Sequence, residues 1–274
     1  MNCIVVIPIY KASLTKIEEL SFRQCLKVLK AHNIAIVGPQ TLDYTYYDRI
    51  ADEEGKAISI ERFDDCFFKS VSAYNSLCLN EDFYQRFCNY AYMLIYQTDA
   101  WVFRDDLSYW CEKGYDYIGA PLYYRKNGQP TKELIGVGNG GFSLRRIDYC
   151  IDILTMKNQK RPFLSPIGVL KHLKLDSRGR LRDFLRFCYE CVGINNNIAF
   201  YKKALINEDL IFGIFAKNAW INSNIPDFEE AAKFAFEANP QYLYHHIGDK
   251  LPFGCHAFEK FEFDSFWRRY ITLE

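Results

Sequence analysis

Along the first third of the chain, short apolar runs alternate with stretches of helical period. Cys3 to Ile9 is a continuous apolar run closed by Pro8 and Tyr10, the pattern of a buried parallel strand that leaves the sheet through a loop at its carboxyl end. Thr15 and Glu18 have capping-box spacing, and Ile17, Leu20, Cys25, Val28 and Leu29 then recur near the helical period, which predicts a crossover helix. Ile34 to Val37, stopped by Gly38 and Pro39, predicts a second strand, and Ala57 to Ile60 a weaker third. This opening reads as βαβ-like.

Ser70 to Asn89 has an aromatic helical pattern, and Tyr92 to Tyr96 predicts a buried strand leading directly into Gln97, Thr98 and Asp99. Ligands of open α/β sheets sit beyond the carboxyl ends of the strands, so Asp99 is placed for chemistry. Asp105 and Asp106 open a short helix through Trp110 and read as partners of its dipole, with no catalytic role. Tyr115 to Gly119 predicts a further strand. Gly136 to Arg145 (GVGNGGFSLR) carries four glycines. Two readings stand for that density: a backbone wall that lets a ligand approach closely, or a tight turn between strands. It does not follow the first strand and open a helix, as a dinucleotide fingerprint would, and no GxxxxGK[ST] phosphate loop is present. Arg161 to Arg186 interleaves basic residues with Leu and Phe and reads as an insertion, either a solvated helical face or a surface for anionic lipid or a polyanionic acceptor.

Composition narrows the picture. A chain of 274 residues, 49% hydrophobic and 25% charged, is that of a folded α/β protein, read as one domain over 1–274. Lys plus Arg and Asp plus Glu each total 34, so no global field draws nucleic acid, which is excluded as a partner. The ten cysteines are scattered, and the N-terminus has no signal-peptide pattern, which points to reduced thiols in a cytoplasm. Cys188 and Cys191 form a CxxC without a second pair, too few ligands for a structural zinc site. No run reaches the roughly 18 to 20 apolar residues that span a bilayer, so any membrane contact is expected to be peripheral. The 17% aromatic content supplies rings that fill a core or stack on sugars and bases.

Four segments in order, YQTDAWVF (96 to 103), GNGGFSLR (138 to 145), NEDLIFG (207 to 213) and LPFGCH (251 to 256), resemble A-type glycosyltransferases. The sequence is similar to a bacterial family catalogued as a domain of unknown function and predicted to be glycosyltransferase-like. The resemblance covers most of the chain, from IPIY to PFGCHAFEK, with 155–200 the least matched.

It implies a GT-A-like α/β fold, a Rossmann-type mixed sheet flanked by helices with a helical basic insertion near 155–200. Residues 1–120 would form the nucleotide-sugar-binding half and 121–274 the acceptor-binding half. In such enzymes an acid-x-acid motif binds a divalent cation that bridges the donor diphosphate. Asp99 matches the second acid, and Gln97 replaces the first, which removes one negative ligand. His256 matches a late histidine that completes the metal site, favouring manganese over magnesium. Asp209 corresponds to the catalytic base, with Glu208 beside it in acceptor binding. Pro8, Tyr10, Lys69 and Tyr74 join Gln97 and Asp99 in the donor pocket, where Tyr10 would stack on the base. Gly140, Gly141 and Phe142 would line the acceptor side.

The implied partners are a UDP- or GDP-sugar and a glycan or lipid-linked glycan. The implied setting is the cytoplasm, with peripheral contact at the inner face of the membrane, in surface glycan or polysaccharide synthesis. From the residues alone, acids at a helix N-terminus also serve as caps and dipole partners, and a strand-end acid or a histidine beside a glycine also serves structure. A non-catalytic carbohydrate-binding or scaffold protein and a nucleotidyltransferase stay open as alternatives.

Overall fold

Strand β1 (Cys3–Pro8) is buried at every position, as a strand covered on both faces must be. The computed structural model describes residues 2–155, 207–215 and 223–272. The basic stretch Arg161 to Arg186, nearly all of the expected insertion and the Cys188–Cys191 pair lie outside these residues.

Helix α1 (Lys16–Val28) begins at the predicted capping box: the Thr15 hydroxyl accepts the Glu18 amide while the Glu18 carboxylate accepts the Thr15 amide. Strand β2 (Asn33–Pro39), helix α2 (Thr45–Glu53) and strand β3 (Ser59–Phe63) follow. β3 runs beyond the apolar stretch Ala57 to Ile60 because its register is set by β2, Ala35 pairing with Ser59 and Pro39 with Phe63. The aromatic stretch read as one helical pattern is two short helices, α3 (Val71–Cys78) and α4 (Glu81–Gln85). Asn80 divides them, its side chain accepting the Asp82 amide to start the second.

Strand β4 (Tyr92–Tyr96) matches its prediction. After it come β5 (Ala100–Val102), α5 (Leu107–Glu112) and the two-residue β6 (Tyr117–Ile118). Asp105 pairs with His32 at 2.8 Å, and Asp106 pairs with Arg104. A hairpin of β7 (Ala120–Lys126) and β8 (Gln129–Gly138) turns at Asn127-Gly128, both with positive φ, the chemistry of a two-residue hairpin turn. The chain continues through β9 (Phe142–Arg146), α6 (Ile147–Thr155), α7 (Glu208–Leu210) with a π-helical turn over Ile211–Phe215, α8 (Phe228–Phe234), β10 (Ala235–Phe236), α9 (Pro240–His246) and β11 (Gly254–His256).

The main sheet has the order β3-β2-β1-β4-β9-β6. β3, β2, β1 and β4 are parallel, and β9 runs antiparallel to both β4 and β6. This is a mixed α/β sheet of the expected class. Val5, Ile7, Leu94 and Tyr96 pack with Phe22, Tyr47 and Trp110 from α1, α2 and α5 on one face. Ile4, Val6, Met93 and Ile95 pack with Leu77, Phe83 and Ile153 from α3, α4 and α6 on the other, the two-residue period of a strand buried between helical layers. A small sheet, β10-β11-β5, has its own aromatic cluster around Trp101, Phe236, Phe258 and Trp267.

The sheet order creates the site. From β1 the chain crosses to β2 on one side, while β4 lies on β1's other side. The carboxyl ends of β1 and β4 therefore flank a topological switch point, where such sheets leave a crevice.

Candidate functional site

A cleft of about 940 Å³ opens at that switch point. Pro8 and Tyr10 enter it from the end of β1, and Gln97, Thr98 and Asp99 from the end of β4. Phe68, Lys69 and Tyr74 form the wall at α3, Lys16 comes from the start of α1, and Lys260 from the C-terminal segment. The six residues expected in the donor pocket thus share one cleft. Tyr10 is 60% exposed, with the Lys11 ammonium over its ring at 5.4 Å from the centroid. Tyr74 has its hydroxyl buried without a hydrogen-bond partner, so the cleft meets its ring.

The small sheet brings the distant histidine to this cleft. β5 and β11 pair antiparallel with His256 beside Ala100, and the Ala257 amide donates to the Asp99 carbonyl at 2.9 Å. His256 Nε2 lies 3.1 Å from Asp99 Oδ1 and 3.2 Å from Gln97 Oε1. Lys260 Nζ lies 3.2 Å from Asp99 Oδ2. Burial opposes charge on both groups, yet their mutual contact wins. Burial disfavours the imidazolium, but Asp99 and Glu237 hold its pKa up at about 9. Burial alone would raise Asp99, but His256 and Lys260 hold its carboxyl well below the usual carboxylate range.

Cis ligands of an octahedral ion with oxygen contacts of about 2.1 Å are separated by about 3 Å, close to the 3.1 Å and 3.2 Å from His256 Nε2 to Asp99 Oδ1 and Gln97 Oε1. One carboxylate, one imidazole and one amide oxygen suit manganese or magnesium completed by substrate phosphates. Among the described residues no group of three or more His, Cys, Asp or Glu forms an all-protein cage. With the His256 Nε2 proton displaced, the residues present fit a cation shared with a ligand.

The glycine segment joins this cluster to a second one. A Cβ on Gly141 would overlap the His256 ring, and a Cβ on Gly140 would overlap the Glu208 carboxylate. Neither glycine has positive φ, so both are required for space. The turn between β8 and β9 is made instead by Asn139, which has φ 86° and whose side chain accepts the Gly141 amide at 3.1 Å. A tight turn is present but is made by Asn139, and what approaches Gly140 and Gly141 closely is the Glu208 carboxylate and the His256 ring, in place of the ligand expected there.

Beyond Gly140 lie the two acids at the start of α7. Asp209 Oδ2 accepts the Asn139 amide at 3.0 Å and Oδ1 accepts the Leu210 amide at 2.8 Å. Burial and the neighbouring Glu208 charge raise its pKa to about 6, against the two amide hydrogen bonds. Glu208 is bound to Arg145, which is fully buried, at 2.9 Å. Arg145 also donates to Tyr84 Oη at 3.0 Å, Ser143 Oγ at 3.1 Å and the Gly140 carbonyl at 3.3 Å. Asn207, the cap residue, makes no side-chain cap bond and Glu208 faces Arg145, while Asp209 satisfies the first-turn amide of Leu210.

Two expectations need correction. Phe142, expected on the acceptor side, is fully buried with its ring against Tyr96, Phe234 and Phe253, so it presents no surface to a ligand. Glu208, expected to help bind an acceptor, is buried and committed to Arg145, so it acts on Asp209 through its charge. Three participants escaped the sequence reading: Arg145, Lys260 and Glu237. Arg145 closes the quoted GGFSLR string, a signal that was available; nothing local marks the other two.

No curated protein matches the sequence. Among solved structures, mouse xyloside xylosyltransferase 1 is similar over 93% of this chain and 97% of its own, at 9% identity and a TM-score of 0.48. Core-mannan synthase A of Aspergillus fumigatus, in a Mn/GDP form, is similar over 81% of this chain and 71% of its own, at 9% identity and a TM-score of 0.43. The mannosyltransferase Ktr4p of S. cerevisiae is similar over 45% of this chain at 11% identity and a TM-score of 0.35, and the match spans only 40% of that protein's length. Residues 57–256, well over half of the sequence and including both acid clusters, match the family described as "Protein of unknown function (DUF5672)", and the chain belongs to that family.

Proposed function

We propose that the chain is a glycosyltransferase that moves a hexosyl group from a UDP- or GDP-sugar to a hydroxyl of a glycan or lipid-linked glycan. The observation that carries this reading is the switch-point cleft, with rings and lysines on its walls, the Asp99–His256–Gln97 cluster at its edge and a buried acid of raised proton affinity beyond Gly140.

Tyr10 stacks on the donor base, and Lys16, Lys69 and Lys260 face the diphosphate. Asp99, His256 and the Gln97 oxygen would hold a divalent cation, manganese or magnesium. When bound, the ion stabilises the charge gathering on the departing diphosphate. Gly140 and Gly141 leave room for the Glu208 carboxylate and the His256 ring, and Asp209 takes the acceptor hydroxyl proton as that oxygen bonds to the anomeric carbon. The bond from that carbon to the diphosphate breaks in the same step, the nucleoside diphosphate leaves with the electron pair, and the configuration inverts. The proposed setting is the cytoplasm, with peripheral contact at the membrane's inner face, in surface glycan or polysaccharide synthesis.

Thermal shift with uridine and guanosine diphosphates, with and without manganese, tests the donor site. The expected result is a manganese-dependent rise that Asp99→Ala loses. No shift with any nucleotide would overturn the reading, and release of pyrophosphate during turnover would replace it with nucleotidyl transfer. Product analysis showing retained configuration would remove inversion.

A further inference from the structure

Glu237, the residue after β10, has no part in the reaction described above. β10 and β11 run parallel with Phe236 beside Cys255, and β11 runs antiparallel to β5 with His256 beside Ala100. At the ends of these three strands, Glu237, His256 and Asp99 form one row, an imidazole between two carboxylates. Nε2 of the ring faces Asp99 at 3.1 Å. Nδ1 is shielded from solvent and has no hydrogen-bond partner, and Glu237 Oε1 faces it at 3.8 Å.

A buried ring nitrogen without a partner is costly, and a carboxylate this close is about 1 Å from a hydrogen bond. The same Glu237 oxygen forms an ion pair with Arg125 on β7 at 3.9 Å, also beyond hydrogen-bond reach, so that pair does not hold the carboxylate at hydrogen-bond distance. An imidazole held at one nitrogen has its other nitrogen aimed, which is how carboxylates behind ligating histidines fix ring orientation.

The geometry points to Glu237 as a positioning residue: its carboxylate accepts the His256 Nδ1–H and holds the ring with Nε2 directed at Asp99 and Gln97. The role belongs to the same site as the proposed function, and its link to cation binding rests on that reading. Its structural part does not.

The experiment compares the full-length chain with Glu237→Gln, whose amide oxygen still accepts the ring N–H, and Glu237→Leu, which cannot. Glu237→Ala replaces the Leu variant if that one does not fold. Histidine side-chain NMR without metal or nucleotide is expected to show a slowly exchanging Nδ1–H of His256, assigned by its loss in His256→Gln. The signal should persist in Glu237→Gln and vanish in Glu237→Leu. Its absence from the wild type, or its persistence in Glu237→Leu, overturns the inference.

Manganese titration followed by electron paramagnetic resonance gives a second readout. Glu237→Leu should weaken binding about 10- to 100-fold and Glu237→Gln far less. Equal manganese affinity in the wild type and Glu237→Leu also overturns the positioning role while leaving the cation reading intact. If the wild type binds no manganese yet the NMR signal behaves as expected, the cation reading fails and the positioning role stands.

Discussion

The His256 ring lies against the bare Cα of Gly141, so close that a methyl group there would overlap it. Backbone conformation does not demand this glycine; the imidazole does. Gly141→Ala should therefore push the ring off Asp99 and lower donor turnover about 100-fold, the scale of an ångström misplacement, while overpacking costs about 1–3 kcal/mol of stability. Steady-state kinetics beside urea unfolding separates the two effects.

Arg145 and Glu208 form the second interlock. Removing the cation alone leaves a buried carboxylate unpaired, so Arg145→Met should cost about 3–5 kcal/mol in denaturant unfolding. Glu208→Gln should also be costly, because the fully buried guanidinium loses its counter-charge even though the amide oxygen still accepts a hydrogen bond. Arg145→Met combined with Glu208→Leu should recover part of the loss.

The His256 proton gives stability a pH signature. Its folded value, about 9, lies above the ordinary 6.5, so its stabilisation is complete below about 6.5 and is lost as pH rises through about 9. Between pH 6 and 9.5 the wild type should lose about 3 kcal/mol that His256→Gln does not. Asp99 has the opposite sign. Its lowered value gives stabilisation that is present above the ordinary 3.8 and is lost as pH falls below it, and acid unfolding of Asp99→Asn should lack that component.

Asp209 must be ionised to accept a proton. Turnover should rise with pH along a limb centred near 6, and Asp209→Asn should lower it by about 10²- to 10⁴-fold. Full turnover by Asp209→Asn would remove the assignment. Glu208→Gln should move the limb to lower pH, since the neighbouring charge is one cause of the raised value.

The legible parts of the fold were the local ones. The Thr15–Glu18 box and the apolar runs of β1 and β4 carry their structure within a few residues, and the strand-end rule led from β4 to Asp99. β3 was misplaced because its limits follow its pairing with β2. The hairpin went unread although Asn127-Gly128 was a turn signal in plain view. At the site, Phe142 was assigned by its neighbours in the motif, whereas alternation along β9 sends its ring into the core. Glu237 and Lys260 could not be found locally, since strand pairing and chain return bring them to the histidine and to Asp99.

The β5–β11 pairing also sets an order of assembly. Gln97 and His256 are 159 residues apart in the chain, while among the described residues every strand of the main sheet lies before residue 147. During synthesis the sheet can form with Asp99 already at its edge, but the imidazole arrives only when the chain has emerged beyond residue 256. Loop closure over such a distance is entropically costly and late. The protein thus acquires its fold before its chemistry, and a nascent chain carries a sheet with half a site.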